Sequence, residues 1–216
     1  MRILQGKNII QMSAEELSAL LSSFDRVILD VGTGDGKNIC RQARSDPSSF
    51  YIGIDPAAEN MIQAAQKIRK KPEKGGLSNV LLVQASAETP PGELSRIADR
   101  LTVYFPWGAL LEGVAHPDPN ILTGMRSMCR PGASFLFVMT YSPDYEAAEI
   151  EKRALPALSE SYFLSSYKET LASCGYRLDS VRVLDNSFAL QFDSQWAKRL
   201  ARGRKRDFYV LEGTVL

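Results

Sequence analysis

Three glycines directly after an apolar stretch could shape a ligand-binding turn. The stretch 26–31 reads Arg-Val-Ile-Leu-Asp-Val, and Gly32, Gly34 and Gly36 follow it at alternate positions. Glycine lets a chain turn tightly and lets its backbone approach a ligand closely. A dinucleotide-binding loop has the spacing G-x-G-x-x-G, whereas here the third glycine comes two residues after the second. The turn therefore predicts a nucleotide-like ligand but departs from the dinucleotide pattern.

An aspartate lies on each side of this turn in the sequence. Asp30 precedes the first glycine by two residues, and its negative charge suits a ligand with an ammonium group better than it suits a pyrophosphate. Asp55 ends the next apolar stretch, where an acid can accept hydrogen bonds from ribose hydroxyls. The arrangement resembles motif I of class I methyltransferases, in which the loop lies under the methionine part of the cofactor. The alternative is that the glycines serve only a tight turn.

Two tryptophans stand in polar surroundings. Trp107 follows Phe105 and Pro106 at the end of a predicted strand, and Trp196 comes just before a basic segment. Ligands of open α/β sheets bind at the carboxyl ends of the strands, and a flat side chain there can orient a nucleic-acid base that has been turned out of its stack. Tryptophan is more often a core residue, but the polar neighbours of both favour a site.

The basic residues are concentrated in two segments of a chain whose net charge is only +1. Eleven of the 26 lysines and arginines fall within residues 67–74 and 198–206, together with a single acid, and the remainder of the chain holds 15 basic and 24 acidic residues. Such segregation favours a localised anion-binding face. Two solvated surfaces without a ligand are the alternative.

Apolar stretches and capping signals predict an alternating order of strands and helices. The predicted strands are 26–31, 50–54, 80–83, 101–105 and 135–139, followed by a hairpin of 177–184 and 208–215. The predicted helices are Ser13–Leu21 behind a capping box, the residues up to Arg44, 57–71, 146–155 and 165–174. This order is typical of parallel βαβ units. We therefore predict an α/β protein with a doubly wound, Rossmann-like, mostly parallel seven-stranded sheet and an antiparallel edge strand.

Several classes of protein are disfavoured by composition. No apolar run reaches roughly 18 residues, which excludes a membrane span, and the first residues lack the features of a secretory signal. The three cysteines are widely spaced, and with the single His116 they make no credible metal site. We expect a reduced, cytoplasmic enzyme that needs no metal.

Longer segments resemble one family over nearly the whole chain. They are 30–39 (DVGTGDGKNI), 51–56 (YIGIDP), 70–80 (KKPEKGGLSNV), 105–108 (FPWG), 149–153 (EIEKR) and 196–206 (WAKRLARGRKR). The chain is similar to the aminoglycoside-resistance methyltransferases, of the kanamycin–apramycin type, that modify N1 of adenine 1408 in 16S ribosomal RNA. The glycine loop indicates only the superfamily, whereas Phe-Pro-Trp-Gly and Trp-Ala-Lys-Arg are far more specific.

The resemblance implies a single S-adenosylmethionine-dependent domain, residues 1–216, that acts as a monomer on the assembled 30S subunit. RNA-binding extensions are implied around 1–12, 66–79, 141–165 and 186–207.

The implied cofactor residues are Asp30, Gly32, Thr33, Gly34, Asp35, Asn38, Asp55, Pro56, Ala87, Glu88, Tyr104 and Ser194. The implied catalytic residues are Phe105, Pro106, Trp107, Ser194 and Trp196, with the flipped adenine held between the two tryptophans. The implied phosphate contacts are Lys67, Lys70, Lys71, Arg153, Lys198, Arg199, Arg204, Lys205 and Arg206. Gln66 stands where family members can carry another lysine, which puts the strength of that contact in doubt.

The chemistry needs little beyond positioning. N1 of adenine has a free lone pair, so it can attack a sulfonium methyl group without a general base. The alternatives are a methyltransferase for transfer RNA or a small molecule, an NAD-dependent oxidoreductase and a catalytically silent RNA-binding protein. Clustered cations disfavour a small-molecule enzyme, the glycine spacing disfavours NAD, and the two aspartates disfavour a silent protein.

Overall fold

A computed structural model describes residues 1–192, 195–201 and 205–216 of the chain, with side-chain surroundings in the segment 195–201 given for 197–200. The strands are β1 (Arg2–Gln5), β2 (Asn8–Gln11), β3 (Arg26–Val31), β4 (Ser49–Asp55), β5 (Val80–Gln84), β6 (Ala98–Tyr104), β7 (Cys129–Met139), β8 (Tyr176–Leu184) and β9 (Phe208–Val215). The helices are α1 (Ala14–Leu21), α2 (Lys37–Ser45), α3 (Ala58–Ile68), α4 (Gly108–Ala115), α5 (Pro119–Ser127), α6 (Pro143–Lys152), α7 (Glu160–Leu164), α8 (Ser166–Ser173), α9 (Asn186–Ala189) and α10 (Gln195–Ala201).

Within the described residues the strands form one sheet in the order β2-β1-β5-β4-β3-β6-β7-β9-β8. Strands β5, β4, β3, β6 and β7 run parallel, and β9 is antiparallel to both β7 and β8. The mostly parallel, doubly wound sheet and the antiparallel hairpin near its edge confirm the predicted fold class. From β3 the chain continues through β4 and β5 on one side of β3 and then crosses to β6 and β7 on its other side. A reversal of this kind marks the ligand site of open α/β sheets.

The sheet is wider than the seven strands predicted, because the first eleven residues add two more. Strands β1 and β2 form a hairpin whose first strand pairs antiparallel with β5. Ile3 and Leu4 are buried there although they are neighbours in the sequence, so the hairpin contributes to the core on both faces. Strands of four residues without strict alternation leave little trace in a sequence.

Strand register shows which side chains share a face of the sheet. Ile28 of β3 pairs with Arg100 of β6, and Arg100 pairs with Ser134 of β7; these side chains therefore point to the same side. On this side α2 and α3 cover β3, β4 and β5, while α9 and α10 cover β7 and β9. We call it the open face, because Arg100 of β6, between the two pairs of helices, is exposed.

The other face carries the larger core. Leu29, Leu101 and Phe135 belong to a cluster that also takes in α1, α4, α5, α7 and α8. Two buried tyrosines, Tyr167 and Tyr176, donate hydrogen bonds from their hydroxyls to helix carbonyls at Val114 and Leu122.

Several helix and strand bounds differ from the predicted ones. Helix α6 begins at Pro143 rather than residue 146 because the Ser142 side chain caps it. Helix α3 ends at Ile68, three residues before the predicted end at Lys71. Strand β7 begins at Cys129 rather than at the predicted residue 135, and in its first part the register with β6 is irregular and Gly132 has a φ of 84°.

A prediction follows from the loop that joins α3 to β5. A Cβ atom on Gly76 would lie 1.7 Å from the backbone oxygen of Lys70, whereas one on Gly92 would meet nothing within 4 Å. We expect Gly76→Ala to lower the free energy of unfolding by about 1–3 kcal/mol, as overpacking does, and to displace Lys70. Urea unfolding of Gly76→Ala measures this, with Gly92→Ala as the tolerated control. Equal stability of the two variants would contradict it.

Candidate cofactor site

The glycine loop is fixed to the end of β4 by backbone hydrogen bonds. The amides of Gly32 and Thr33 both donate to the carbonyl of Ile54, at 2.9 and 3.0 Å. Gly32, Gly34 and Gly36 have φ values of 73°, 60° and 68°, a region that side chains disfavour. A Cβ on Gly32 would also lie 2.5 Å from the Leu110 side chain. The three glycines are therefore required by the path of the loop.

Asp55 connects this loop to the start of α3. Its Oδ2 atom accepts a hydrogen bond from the amide of Gly34 at 3.0 Å, and its Oδ1 atom accepts one from the amide of Ala57 at 2.9 Å. Burial raises the pKa of this carboxyl, and the two backbone amides oppose the rise. Each oxygen has further lone pairs, so the carboxylate can hold the loop and still accept hydrogen bonds from a bound ribose.

Asp30 is the most buried acid of the site, with only 4 % of its surface exposed. The Thr102 hydroxyl of the neighbouring strand donates to its Oδ1 atom at 2.8 Å. Burial raises the pKa of Asp30 to about 6, because the charged form is poorly solvated. A carboxylate held in this way without a cation is ready to pair with a positively charged ligand group.

These residues surround a cavity of about 700 Å³ at the carboxyl ends of β3, β4, β5 and β6. The predicted cofactor residues that line it are Asp30, Gly32, Thr33, Gly34, Asp35, Asn38, Asp55, Pro56, Ala87, Glu88 and Tyr104. The predicted catalytic residues that line it are Phe105, Pro106 and Trp107. Ser194 lies outside the described residues, as does the side chain of Trp196. The volume is within the range of small-molecule and cofactor sites.

The polar groups of the cavity fit S-adenosylmethionine. Four acids line it, which suits a cofactor that carries a sulfonium and an α-ammonium group. Asn38 is buried, and neither polar atom of its amide has a partner. Buried amides are normally hydrogen-bonded, so Asn38 has donors and an acceptor to offer a ligand. Asp30, Asn38 and Asp55 are the residues that could hold the cofactor by polar contacts.

Trp107 stands at the rim of this cavity because the chain turns sharply after β6. Phe105 has a φ of 50°, and its amide donates to the carbonyl of Val138 at 2.9 Å. Its ring is buried edge-on against Phe192 at 4.9 Å and Phe208 at 5.8 Å between centroids. With Phe105 anchored and Pro106 buried, Trp107 remains 44 % exposed at the N-cap of α4.

Sequence reasoning missed some residues of the cavity. Asn60, Leu110 and Phe192 line it from α3, α4 and the segment before α10. Arg199, expected as a phosphate contact, also lines the cavity. Apolar side chains such as Leu110 and Phe192 look like ordinary core residues in a sequence, and only the packing of Phe192 against Tyr104 and Phe105 places it here.

The predicted phosphate contacts fall into two groups. Lys67, Lys70, Lys71, Lys198 and Lys205 are exposed, as is Arg199, while Arg204 lies outside the described residues. Arg153 is paired with Glu112 at 2.8 Å and with Glu149. Arg206 is buried against both carboxylate oxygens of Glu146, at 2.6 and 2.9 Å, and lies over the Tyr145 ring. Arg206 is thus buried and Arg153 partly buried, and both are paired with glutamates, so a phosphate would have to join or replace their carboxylates.

Two further properties concern the described residues alone. No group of three or more side chains among them is arranged to hold a metal ion. No described helix is long and apolar enough to span a membrane.

The fold, the buried acid near the end of β3, the acid that ends β4 and the exposed aromatic after β6 define a class I S-adenosylmethionine-dependent methyltransferase. Residues 2–215 match the model of the NpmA family, 16S rRNA (adenine(1408)-N(1))-methyltransferase, and the chain belongs to this family. It is 51 % identical over 216 residues to the methyltransferase of that name from Escherichia coli, covering all of this chain and 99 % of the relative.

Solved structures of the same kind are similar along the whole chain. A tryptophan-to-alanine mutant of the 16S rRNA (adenine(1408)-N(1))-methyltransferase from Catenulisporales acidiphilia, crystallised with its cosubstrate SAM, has a TM-score of 0.91 at 32 % identity, and the match covers 100 % of this chain and 96 % of the mutant's chain. The 16S rRNA methyltransferase KamB has a TM-score of 0.91 at 36 % identity, with coverage of 100 % and 99 %. The cofactor of this chain is accordingly S-adenosylmethionine.

The pKa of Asp30 generates a prediction about pH. The raised value means that the folded protein binds this proton more tightly than the unfolded chain, so stability without cofactor falls as pH rises from about 4 to about 6. The shift from 3.8 to about 6 corresponds to about 3 kcal/mol. We expect Asp30→Asn to melt higher than the wild type at pH 8 without cofactor and to bind S-adenosylmethionine more weakly.

Thermal melting of both proteins at pH 4.5 and about pH 8, with and without cofactor, measures these effects. Asn can still accept the Thr102 hydrogen bond, so the comparison isolates the charge. A variant that melts lower at high pH, or that binds cofactor as well as the wild type, would show that the Asp30 charge has no such role.

Proposed function

We propose that this chain transfers the methyl group of S-adenosylmethionine to N1 of adenine 1408 in 16S ribosomal RNA, with the assembled 30S subunit as substrate. Protection of the decoding site against aminoglycosides would follow from this methylation. The observation that carries the proposal is the exposed Trp107 ring on the lip of the acid-lined cavity, with exposed cations on the same molecule. A cofactor pocket for a small acceptor would not need an aromatic surface that faces solvent.

We assign the cofactor to the polar groups of the cavity by its chemistry. Asp30 would bind the α-ammonium group, and Asp55 would accept hydrogen bonds from the ribose hydroxyls. The backbone of Ala87 and the exposed Glu88 would border the adenine ring at the end of β5. When bound, S-adenosylmethionine supplies a methyl group on a positively charged sulfur, and the surrounding acids stabilise that charge.

The acceptor base has to leave its stack to reach this cavity. Extrusion of a base costs a few kcal/mol, while stacking on an aromatic side chain returns roughly 1–3 kcal/mol per contact. Trp107 would hold one side of the adenine and Trp196 the other, with Phe105, Pro106 and Ser194 shaping the pocket between them. N1 attacks with its own lone pair, so the enzyme has to position the base but has no proton to remove before the attack.

The exposed cations would dock the enzyme on folded ribosomal RNA. Lys67, Lys70 and Lys71 lie at the end of α3, and Lys198, Arg199 and Lys205 lie around α10; Arg204 would add to the second group. Phosphate contacts position a protein without reading sequence, so specificity would come from the shape of the assembled subunit. Arg153 and Arg206 would contribute only by sharing their glutamates with a phosphate.

Primer extension on treated RNA tests the substrate. A methyl group on N1 blocks Watson–Crick pairing, so reverse transcriptase should stop at adenine 1408 after the enzyme acts on 30S subunits, and far less after it acts on a short hairpin of the same sequence. Transfer RNA serves as the competing substrate. Efficient methylation of transfer RNA or of the free hairpin, without a stop in the subunit, would refute the proposal.

Replacement of the tryptophans separates holding the base from docking. We expect Trp107→Ala and Trp196→Ala to abolish methylation while subunit affinity changes little, because phosphate contacts dominate binding. The phenylalanine variants keep a stacking surface and should retain partial activity. Lys71→Ala should instead lower the affinity for the subunit and leave the turnover rate at saturating subunit concentration unchanged.

Melting temperature distinguishes this role from a structural one. Removal of a core tryptophan costs about 3–5 kcal/mol, whereas a side chain on an open rim should cost much less. If the alanine variants melt early and lose binding and methylation together, the assignment of both rings to the base is wrong.

A further inference from the structure

The two exposed cationic groups are separated by a strip of the open face. Lys67 belongs to α3, which covers one part of the sheet, and α10 covers another part. Between them lie α2 and the exposed Arg100 of β6. An RNA surface that touches both groups, as the proposed function requires, has to pass over this strip.

Helix α2 presents cations to that strip. Its nine residues include Lys37, Arg41 and Arg44 and no acid. Lys37 is paired with Asp35 at 2.8 Å. Arg41 and Arg44 are exposed, three residues and roughly 4.5 Å apart along the helix axis. Because the three cations are interleaved with apolar residues, the sequence shows no charge run here.

Arg100 continues the positive charge across the floor of the strip. It is the exposed residue of β6 on the open face. Among the residues that the structure describes, the guanidiniums of Arg41, Arg44 and Arg100 take part in no ion pair or hydrogen bond. The nearby carboxylate of Asp99 is engaged instead by Arg130 at 2.8 Å and by the amide of Val27.

Electrostatic neighbours place these three arginines between the cofactor cavity and α3. Burial raises the pKa of the Tyr104 hydroxyl, and the positive charges of Arg41 and Arg100 oppose this rise. Arg44 and Lys67 both act on the Cys40 thiol, whose pKa burial raises to about 11. Arg41 and Arg100 therefore lie near Tyr104, which lines the cavity, and Arg44 lies with Lys67 near the Cys40 thiol.

Carboxylates along the same strip offset only part of this charge. Asp35 is paired with Lys37, and Asp46 at the end of α2 keeps its negative charge but accepts hydrogen bonds from the hydroxyls of Ser48 and Tyr51 rather than from an arginine. A series of three arginines on the route between two cationic groups matches the repeating charge of a phosphodiester backbone.

We propose that Arg41, Arg44 and Arg100 form a phosphate-binding track that carries one strand of the ribosomal RNA across the open face, from the basic end of α3 to the rim of the cofactor cavity. This inference rests on the proposed function and adds a contact surface that lies outside both basic segments of the sequence. The track binds backbone and reads no base, so it contributes affinity and register rather than choice of nucleotide.

The salt dependence of binding to 30S subunits tests the track. Each phosphate that the protein neutralises steepens the slope of log K against log salt by about 0.9 for duplex. We expect the double variant Arg41→Gln with Arg44→Gln to flatten the slope by about two units, and Arg100→Gln by about one. The doubly substituted lysine variant, Arg41→Lys with Arg44→Lys, keeps the charges and should keep the slope.

Two further variants calibrate the measurement. Lys70→Gln removes a cation of the α3 group and should flatten the slope by about one unit. Arg177→Gln removes an exposed arginine that is paired with Asp179 on the edge strand β8, away from the track, and should leave the slope unchanged. Methylation at saturating subunit concentration should be unchanged in the track variants, so their effect appears in KM and not in kcat.

The outcomes separate this inference from the proposed function. A slope that stays at the wild-type value in the glutamine double variant, while Lys70→Gln flattens it, would overturn the track and leave the proposed substrate intact. Flattening by Arg177→Gln equal to that of the double variant would also overturn it, because any surface cation would then act alike. A wild-type enzyme that does not methylate 30S subunits would refute both the proposed function and the track.

Discussion

The burial of the Asp30 carboxylate is the constraint on which the site depends. It lies at the end of the central strand, where the order of strands reverses, and Thr102 of the adjacent strand is its hydrogen-bond partner. Water is largely excluded, which makes an unpaired charge costly and a paired one strong. The glycine loop, Asp55 and the buried Asn38 amide surround the same space. The energetic cost of the unpaired Asp30 charge therefore favours the binding of a cationic ligand there.

The two faces of the sheet have different roles in the molecule. One face carries the large core and gives the strands their rigidity. The open face has two smaller clusters, one under α2 and α3 and one under α9 and α10, and the cavity lies at the strand ends beside them. Phe192 joins the second cluster to the cavity because its ring contacts both Tyr104 and Phe105. The elements proposed to dock on RNA are therefore packed directly against residues that line the cofactor cavity.

Much of the fold could be predicted because parallel strands are buried on both faces and read as short apolar runs. The strand 26–31 was predicted with its observed bounds, and the capping box at Ser13 marked the start of α1. Helices α4 and α5 and the hairpin β1–β2 were missed, since Gly108, Gly113 and Pro117 obscure the helical pattern and the hairpin strands have four residues each. Asp30, Asp55 and the glycine loop could be predicted from their spacing, which depends on local backbone geometry and so is visible in sequence, whereas the remaining cofactor residues were implied by the family resemblance.

Contacts between distant segments could not be predicted in the same way. That Arg206 would be buried against Glu146, or Arg153 held by Glu112, depends on tertiary packing, because a basic run in a sequence looks the same whether its charges face solvent or carboxylates. The track of Arg41, Arg44 and Arg100 was hidden for the opposite reason, since its members are scattered and meet only through the register of β3 with β6.

The central claim is that one open cavity serves both a buried cationic cofactor and a base delivered from folded RNA. A cryo-electron microscopy structure of the enzyme bound to the 30S subunit, with a non-transferable cofactor analogue, tests it most directly. The account predicts that adenine 1408 is extruded from its helix and lies against Trp107, with its N1 directed at the cavity and the docking contacts on the open face. An adenine that remains stacked in its helix, or an enzyme bound through the opposite face, would contradict it.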